Sequence, residues 1–136
     1  MTENIADKII AFNRELDYTG ELPEGFRVLN PFLENPETMP AMEAFYRKYY
    51  NDSNQRRFIV GINPSRHGAG VTGVPFTDTK RLESVCGIKI ESVRTHELSS
   101  VFVYDFIEQS DGPDPVYSRF SIHSPLPLAT TRETKN

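Results

Sequence analysis

A short apolar strand followed by a glycine-rich loop is the feature that most constrains this chain. Residues 58–62 read FIVGI, and turn residues at Gly61, Asn63 and Pro64 end the run. This pattern is typical of a buried strand that delivers a loop. Open α/β sheets bind ligands at the carboxyl ends of their parallel strands. The sequence therefore predicts an α/β protein with a functional position at Asn63.

The loop is rich in glycine. Four of the chain's eight glycines lie between Gly61 and Gly73, so the backbone can adopt positive φ angles and bring its amides close to a ligand. Successive N–H groups of this kind bind anions or polarised carbonyl oxygens. The spacing matches neither a Walker motif nor GxGxxG, which disfavours a nucleotide phosphate. A surface loop without a ligand is the alternative.

Two strings in this segment, GINPS at 61–65 and TGVPF at 72–76, resemble the first motif of the uracil-DNA glycosylase superfamily. The single-strand-selective monofunctional branch and its bacterial relatives are the most similar. HELSSVFVYDFIE at 96–108 and VYSRF at 116–120 extend the resemblance. It implies a three-layer α/β/α fold with a short parallel sheet. It also implies hydrolysis of the N-glycosidic bond of uracil or a related damaged base in DNA, as in base-excision repair.

The resemblance also implies roles for single residues. Asn63 aligns with the asparagine that positions the attacking water, and Phe76 aligns with the aromatic residue that stacks on the flipped base. Backbone amides near Ile62 and Gly73 are candidates to stabilise the departing base. A neutral amide can suffice because the reaction passes through an oxocarbenium-like sugar. An ordinary core position is the alternative for Phe76.

The charge pattern leaves DNA contacts open. A net charge of −4 argues against an overall basic binding surface. Basic residues do cluster in sequence around the loop: Arg56, Arg57, Arg66, His67, Lys80 and Arg81. They would make a few phosphate contacts if they shared a face, and scattered solvated charge is the alternative. Ser65, Arg66 and His67 are the possible DNA contacts.

Length and composition predict one domain over residues 1–136. A single cysteine, Cys86, excludes an internal disulfide and a four-cysteine iron–sulfur cluster within one chain, and we expect it in the core. No apolar run is long enough to cross a membrane, and no signal pattern begins the chain. We expect a cytoplasmic monomer that binds DNA and uses no metal or organic cofactor.

The chain departs from the family pattern in two places. Ser124 stands where the single-strand-selective enzymes carry an asparagine that reads the uracil edge. The second catalytic motif, with its histidine, should come later than His123, so we do not interpret His123 as that histidine. We therefore expect a fold that is incomplete at its C-terminus, an irregular or aberrant tail over 124–136, and doubtful activity. A non-catalytic nucleic-acid or nucleobase-binding module and an inactive truncated remnant are the alternatives.

Hydrophobic periodicity predicts the remaining elements. We expect helices over 4–16, from a Thr38 cap to 50 and from a Thr77 or Asp78 cap to Gly87. By propensity alone the VFVY segment at 101–104 could equally be a strand; the family resemblance implies a helix from a Ser99 or Ser100 cap to 108. The segment 17–36 reads as an ordered loop, and 117–122 as a second strand. The aromatic stripe of the second helix is interpreted as core, with a stacking platform for bases as the alternative.

Overall fold

The computed structural model describes residues 3–62 and 64–132. The helices are α1 (Ile5–Glu15), α2 (Pro31–Glu34), α3 (Thr38–Tyr49), α4 (Ala69–Thr72), α5 (Thr79–Ser84), α6 (Leu98–Gln109) and α7 (Pro113–Arg119). The strands are β1 (Phe26–Leu29), β2 (Arg57–Val60), β3 (Phe120–His123) and β4 (Ala129–Arg132). Over the described residues, no helix is long and apolar enough to span a membrane.

The strands form two separate pairs. β2 and β3 pair in parallel, with Ile59 opposite Ile122, and the connection between them contains helices, which is the arrangement of an α/β unit. The α/β class predicted from the sequence is confirmed. β1 pairs antiparallel with β4, with Leu29 opposite Ala129.

The aromatic stripe of α3 lies in the core, as predicted. Phe45, Tyr46 and Tyr49 are buried, and the Phe45 ring meets the Tyr117 ring edge-on at a centroid distance of 5.1 Å. Such edge-to-face pairs add to the energy of apolar burial. The aromatic stripe therefore forms part of the core and has no exposed ring face on which bases could stack.

The predicted helix caps are partly correct. The Asp78 side chain, one of the two predicted caps of α5, does cap it by accepting from the Arg81 N–H. Asn4, expected inside the first helix, is instead the cap of α1 and forms a capping box. Thr38 is the first residue of α3 and not its cap; its hydroxyl donates to the Val71 carbonyl at 2.8 Å. Ser100 does not cap α6, because its buried hydroxyl accepts from the Asp78 N–H.

Three segments of the sequence prediction need correction, two of them near the C-terminus. Residues 113–119 form α7, so the second strand begins at Phe120 and not at 117. The first turn of α7 accommodates prolines because the backbone N–H groups of a first turn have no acceptor within the helix. α6 is confirmed as a helix. The tail is not irregular throughout, since 129–132 pairs with β1. Residues 17–36, expected to be an ordered loop, contain β1 and α2.

β2 is buried on one face only, which corrects the prediction of a fully buried strand. Ile59 and Ile122 face the core, whereas the Phe58 side chain is 73% exposed and Val60 is also exposed. Along α6, Leu98, Phe102 and Phe106 are exposed as well; their spacing of four residues places them on one side of the helix. The apolar residues that the sequence offers are therefore not all used in the core.

The contrast between the two faces yields a stability prediction. Phe45→Ala removes a fully buried ring and should lower the free energy of unfolding by about 3–5 kcal/mol. Phe58→Ala removes an exposed ring and should change it by only about 0.5 kcal/mol. Urea denaturation of the two variants checks this, and equal losses would contradict the one-sided burial of β2.

Candidate functional site

The candidate site begins where β2 ends. The Gly61 N–H donates to the His123 carbonyl at 2.8 Å, so the carboxyl ends of β2 and β3 stay side by side. The loop from 64 to 78 then carries α4 and leads into α5. Asn63, the predicted water-positioning residue, lies outside the described residues. The position of the loop at the carboxyl ends of parallel strands agrees with the expected place of a ligand site.

The amides of the loop are largely bonded within the loop, which corrects the prediction of an open amide cradle. The Ser65 hydroxyl accepts from the N–H groups of His67 and Gly68 at 3.1 and 3.0 Å. The Ser65 carbonyl accepts from the Gly70 N–H at 2.7 Å. Because these donors already have partners, Ser65 shapes the loop from inside. Its predicted contact with DNA is untested by this geometry.

The TGVPF segment is fixed by a buried hydroxyl. Thr72 is fully buried; its Oγ1 accepts from the Val74 N–H at 3.1 Å and donates to the Thr77 carbonyl at 2.7 Å. Gly73 has φ +73°, and a Cβ there would lie 2.4 Å from the Phe32 ring. A side chain at this position would therefore be both strained and obstructed.

The Gly73 N–H donates to the Ala69 carbonyl at 2.9 Å, so this amide is used at the end of α4. The other predicted amide region lies at Ile62, whose side chain is 85% exposed. The two residues therefore differ in environment: Gly73 is packed within the loop, whereas Ile62 is exposed at the point where the loop leaves β2.

Phe76 lies against the end of β2. It adopts a positive φ of 54°, which is uncommon for a residue with a bulky side chain. Its ring packs directly on Gly61, where an added Cβ would lie 2.6 Å from Cζ. The ring is half-buried, so one part of it packs and another stays accessible. This placement leaves the predicted stacking role possible in geometry.

Two adjoining cavities lie beside the loop. The larger, of about 370 Å³, is bounded by α1, α2 and α3 on one side and by Pro64, Gly73, Pro75, His123 and Ser124 on the other. The smaller, of about 30 Å³, is bounded by Ser65, Phe76, Glu97, Ser99 and Ser124 together with Pro64, Ala69 and Pro75. We call the smaller one the recess. Ser124 lines both cavities, as do Pro64, Ala69 and Pro75, so the two share a wall.

Sequence reasoning missed Glu97. Its carboxylate lies against the loop, 2.1 Å from where a Cβ of Gly68 would be. The signal that could have found it is the glycine itself, because Gly68 is required only if another group occupies the space beside it. The distance of 29 residues between the two in sequence hides this pairing.

The basic cluster predicted around the loop does not form one face. Arg56 is buried, with its side chain only 3% exposed; it bonds to Asp52 and donates to the Tyr117 and Tyr49 carbonyls. Arg81 bonds to Asp78. Arg57 begins β2, at the opposite end from the loop. Of the predicted DNA contacts, Arg66 and His67 are exposed on the loop. In the described ranges 3–62 and 64–132, no group of three or more acidic, histidine or cysteine residues is arranged to hold a metal.

The parallel strand pair, the loop at its carboxyl ends and the cavities beside that loop define an α/β protein with a ligand site at the strand ends. No protein-family model matches the chain, and no curated protein matches it. Among solved structures, it is similar to the crystal structure of wild-type SMUG2 from Pedobacter heparinus, with 49% sequence identity and a TM-score of 0.93. The chain belongs to the uracil-DNA glycosylase superfamily, of which SMUG2 is a member. The match covers 98% of this chain, which spans only 57% of the Pedobacter chain.

The contact between Gly61 and Phe76 can be tested directly. Gly61→Ala should lower the free energy of unfolding by about 1–3 kcal/mol, because the new methyl group overlaps the ring. In a Phe76→Ala background the same change should cost clearly less. A double-mutant cycle by urea denaturation measures this coupling. Additive effects would show that the ring does not pack on Gly61.

His123 gives a pH prediction. Burial lowers the pKa of His123 below its ordinary value of 6.5, so the unfolded chain binds this proton more tightly than the folded chain. Its contribution to stability is therefore fully present above about pH 6.5 and is lost as the pH falls through and below that value. Denaturation midpoints at about pH 7.5 and pH 5.5 should differ less in His123→Gln than in the native chain. An unchanged difference would contradict this assignment.

Proposed function

We propose that this chain is a DNA glycosylase that hydrolyses the N-glycosidic bond of uracil or a related damaged base in DNA. The observation that carries the proposal is the 49% identity to SMUG2 over 98% of the chain. The local geometry is in keeping with it, because the GINPS and TGVPF strings meet at the ends of β2 and β3 beside a cavity of about 370 Å³. That volume falls in the range of small-ligand sites.

The chemistry needs a positioned water and a stabilised leaving group. As the C1′–N bond breaks, its electron pair leaves with the base and the sugar becomes oxocarbenium-like. Asn63 hydrogen-bonds to water through its side-chain amide and directs the oxygen toward C1′. Because the water is already held next to C1′, its attack becomes effectively unimolecular and no longer depends on a random encounter with solvent. The amide orients the water without removing its proton.

The base has to leave the DNA stack to reach the loop. Phe76 provides the face on which the flipped base stacks, since its half-buried ring is held by Gly61 at the end of β2. Arg66 and His67 are exposed on the same loop and contact the phosphate backbone on either side of the flipped nucleotide. A cytoplasmic monomer that needs no metal or organic cofactor completes the proposal.

The decisive experiment is cleavage of a labelled single-stranded oligonucleotide that contains one uracil, followed by alkaline scission of the abasic site. The native chain should cleave it, and Asn63→Ala should reduce the single-turnover rate by about 100-fold or more without weakening oligonucleotide binding. Asn54→Ala is the matched control, because Asn54 is an exposed asparagine before β2, and it should cleave normally.

A duplex carrying the same uracil, and oligonucleotides carrying other deaminated bases, then define the substrate. If the folded native chain binds these oligonucleotides without cleaving any of them, the proposal fails as an enzyme. The non-catalytic binding module is then the correct assignment.

A separate prediction concerns Phe76. Phe76→Ala should weaken binding of a uracil-containing strand by about 1–3 kcal/mol, the usual contribution of one aromatic ring stacked on a base. Binding of the same strand with an abasic site in place of uracil should not change. Fluorescence anisotropy measures both affinities. Equal weakening for the two strands would show that the ring supports the loop and does not stack on the base.

A further inference from the structure

The recess is large enough for one water molecule and is lined by polar groups. Its volume is about 30 Å³, which exceeds the space that a single buried water requires. The side chains of Ser65, Glu97, Ser99 and Ser124 border it. A water needs two to four polar partners to be stably bound, and this set supplies hydroxyl groups and one carboxylate.

Glu97 is held at this place by its backbone. Its N–H donates to Asp78 Oδ2 at 2.8 Å. Asp78 is itself fully buried and also accepts from the N–H and the guanidinium of Arg81. The residue before α6 is therefore tied to the residue that caps α5. The side chain of Glu97 makes no capping bond to α6, so its carboxylate extends toward the loop.

Gly68 is what allows the carboxylate to approach the loop so closely. A Cβ on Gly68 would lie 2.1 Å from Glu97 Oε2 and 3.4 Å from Ser65 Oγ. The first distance is impossible for two unbonded atoms, so any other residue at 68 would displace the carboxylate. Two parts of the chain are thus shaped to bring an acid to the recess, beside the ring of Phe76.

We propose that Glu97 is the group that accepts the proton from the hydrolytic water held in the recess. This inference rests on the proposed glycosylase function and adds a proton acceptor for the water that Asn63, a neutral amide, orients. The water oxygen forms a bond to C1′ as the C1′–N bond breaks, and the electron pair of that bond departs with the base. One O–H bond of the water breaks, and its proton passes to a Glu97 carboxylate oxygen.

The other titratable groups near Glu97 are accounted for. Asp78, Arg81 and His96 lie on its backbone side and are bonded to one another, with His96 Nδ1 3.0 Å from the Arg81 guanidinium. His67 is exposed on the loop. An acid limb in the rate that persists in His67→Gln and His96→Gln but disappears in Glu97→Gln belongs to the carboxylate.

The test is single-turnover cleavage of the uracil oligonucleotide as a function of pH. Glu97→Gln should reduce the rate by about 100-fold or more, should remove the acid limb of the pH–rate profile, and should leave oligonucleotide binding and the melting temperature unchanged. Glu108→Gln is the matched control, because Glu108 is an exposed carboxylate on the same helix; it should behave as the native chain.

A second variant keeps the test independent of one substitution. Gly68→Ala leaves the carboxyl group in the chain but displaces it, because a Cβ at 68 would lie 2.1 Å from Glu97 Oε2, and it should also lower the rate. In the Glu97→Gln background, Gly68→Ala should add little further loss, since both changes remove the same proton acceptor.

The possible results separate this inference from the proposed function. Native chain without any cleavage overturns both. Native cleavage with Glu97→Gln equally fast, or slowed with its acid limb intact, overturns the role of Glu97 and leaves the glycosylase function standing. A slower Glu97→Gln with a lowered melting temperature and weakened oligonucleotide binding assigns Glu97 a structural role and also overturns the inference.

Discussion

The buried carboxylate of Asp78 is the contact on which the arrangement around the loop depends. It caps α5, bonds the Arg81 guanidinium and accepts from the backbone of Glu97, while its own N–H donates to Ser100. A buried carboxylate that lost these donors would be strongly unfavourable. One side chain therefore joins the exit of the loop to the beginning of α6. The hydrogen bond from the Glu97 N–H to Asp78 therefore helps to set the position of Glu97 relative to Gly68.

The loop owes its shape to bonds within the protein, and this bears on what it can bind. Ser65 and Thr72 occupy amides that a glycine-rich loop would otherwise offer to a ligand. A loop whose donors are already used does not bind an anion as a phosphate loop does. It presents instead a fixed surface made of the Phe76 ring and the side chains around the recess. Recognition of a flat base is better matched to such a surface than recognition of a phosphate.

The sequence predicts the helices and the core well, because amphipathic spacing and caps act locally. The stripe of α3, the Asp78 cap and the position of β2 follow from such patterns. It fails where a distant partner decides the outcome. Thr38 and Ser100 look like caps in sequence but bond to Val71 and Asp78. Arg56 looks like a surface charge but is enclosed by carbonyls. The sequence around Glu97 does not indicate a functional role, since the only indication is its contact with the distant Gly68.

The outward face of β2 is not in contact with the residues that form the recess. Parallel sheets are usually covered on both faces, and here Phe58 and Val60 face outward in a chain that spans 57% of its relative. The recess, however, is bounded by Phe76, Glu97 and Ser65, all fixed by contacts to Gly61, Asp78 and the loop backbone. None of these contacts involves the outward side chains. The Phe58 ring does approach the His123 ring, with their centroids 5.6 Å apart, and His123 bounds the larger cavity. The outer face of β2 is therefore linked to the larger cavity and not to the recess.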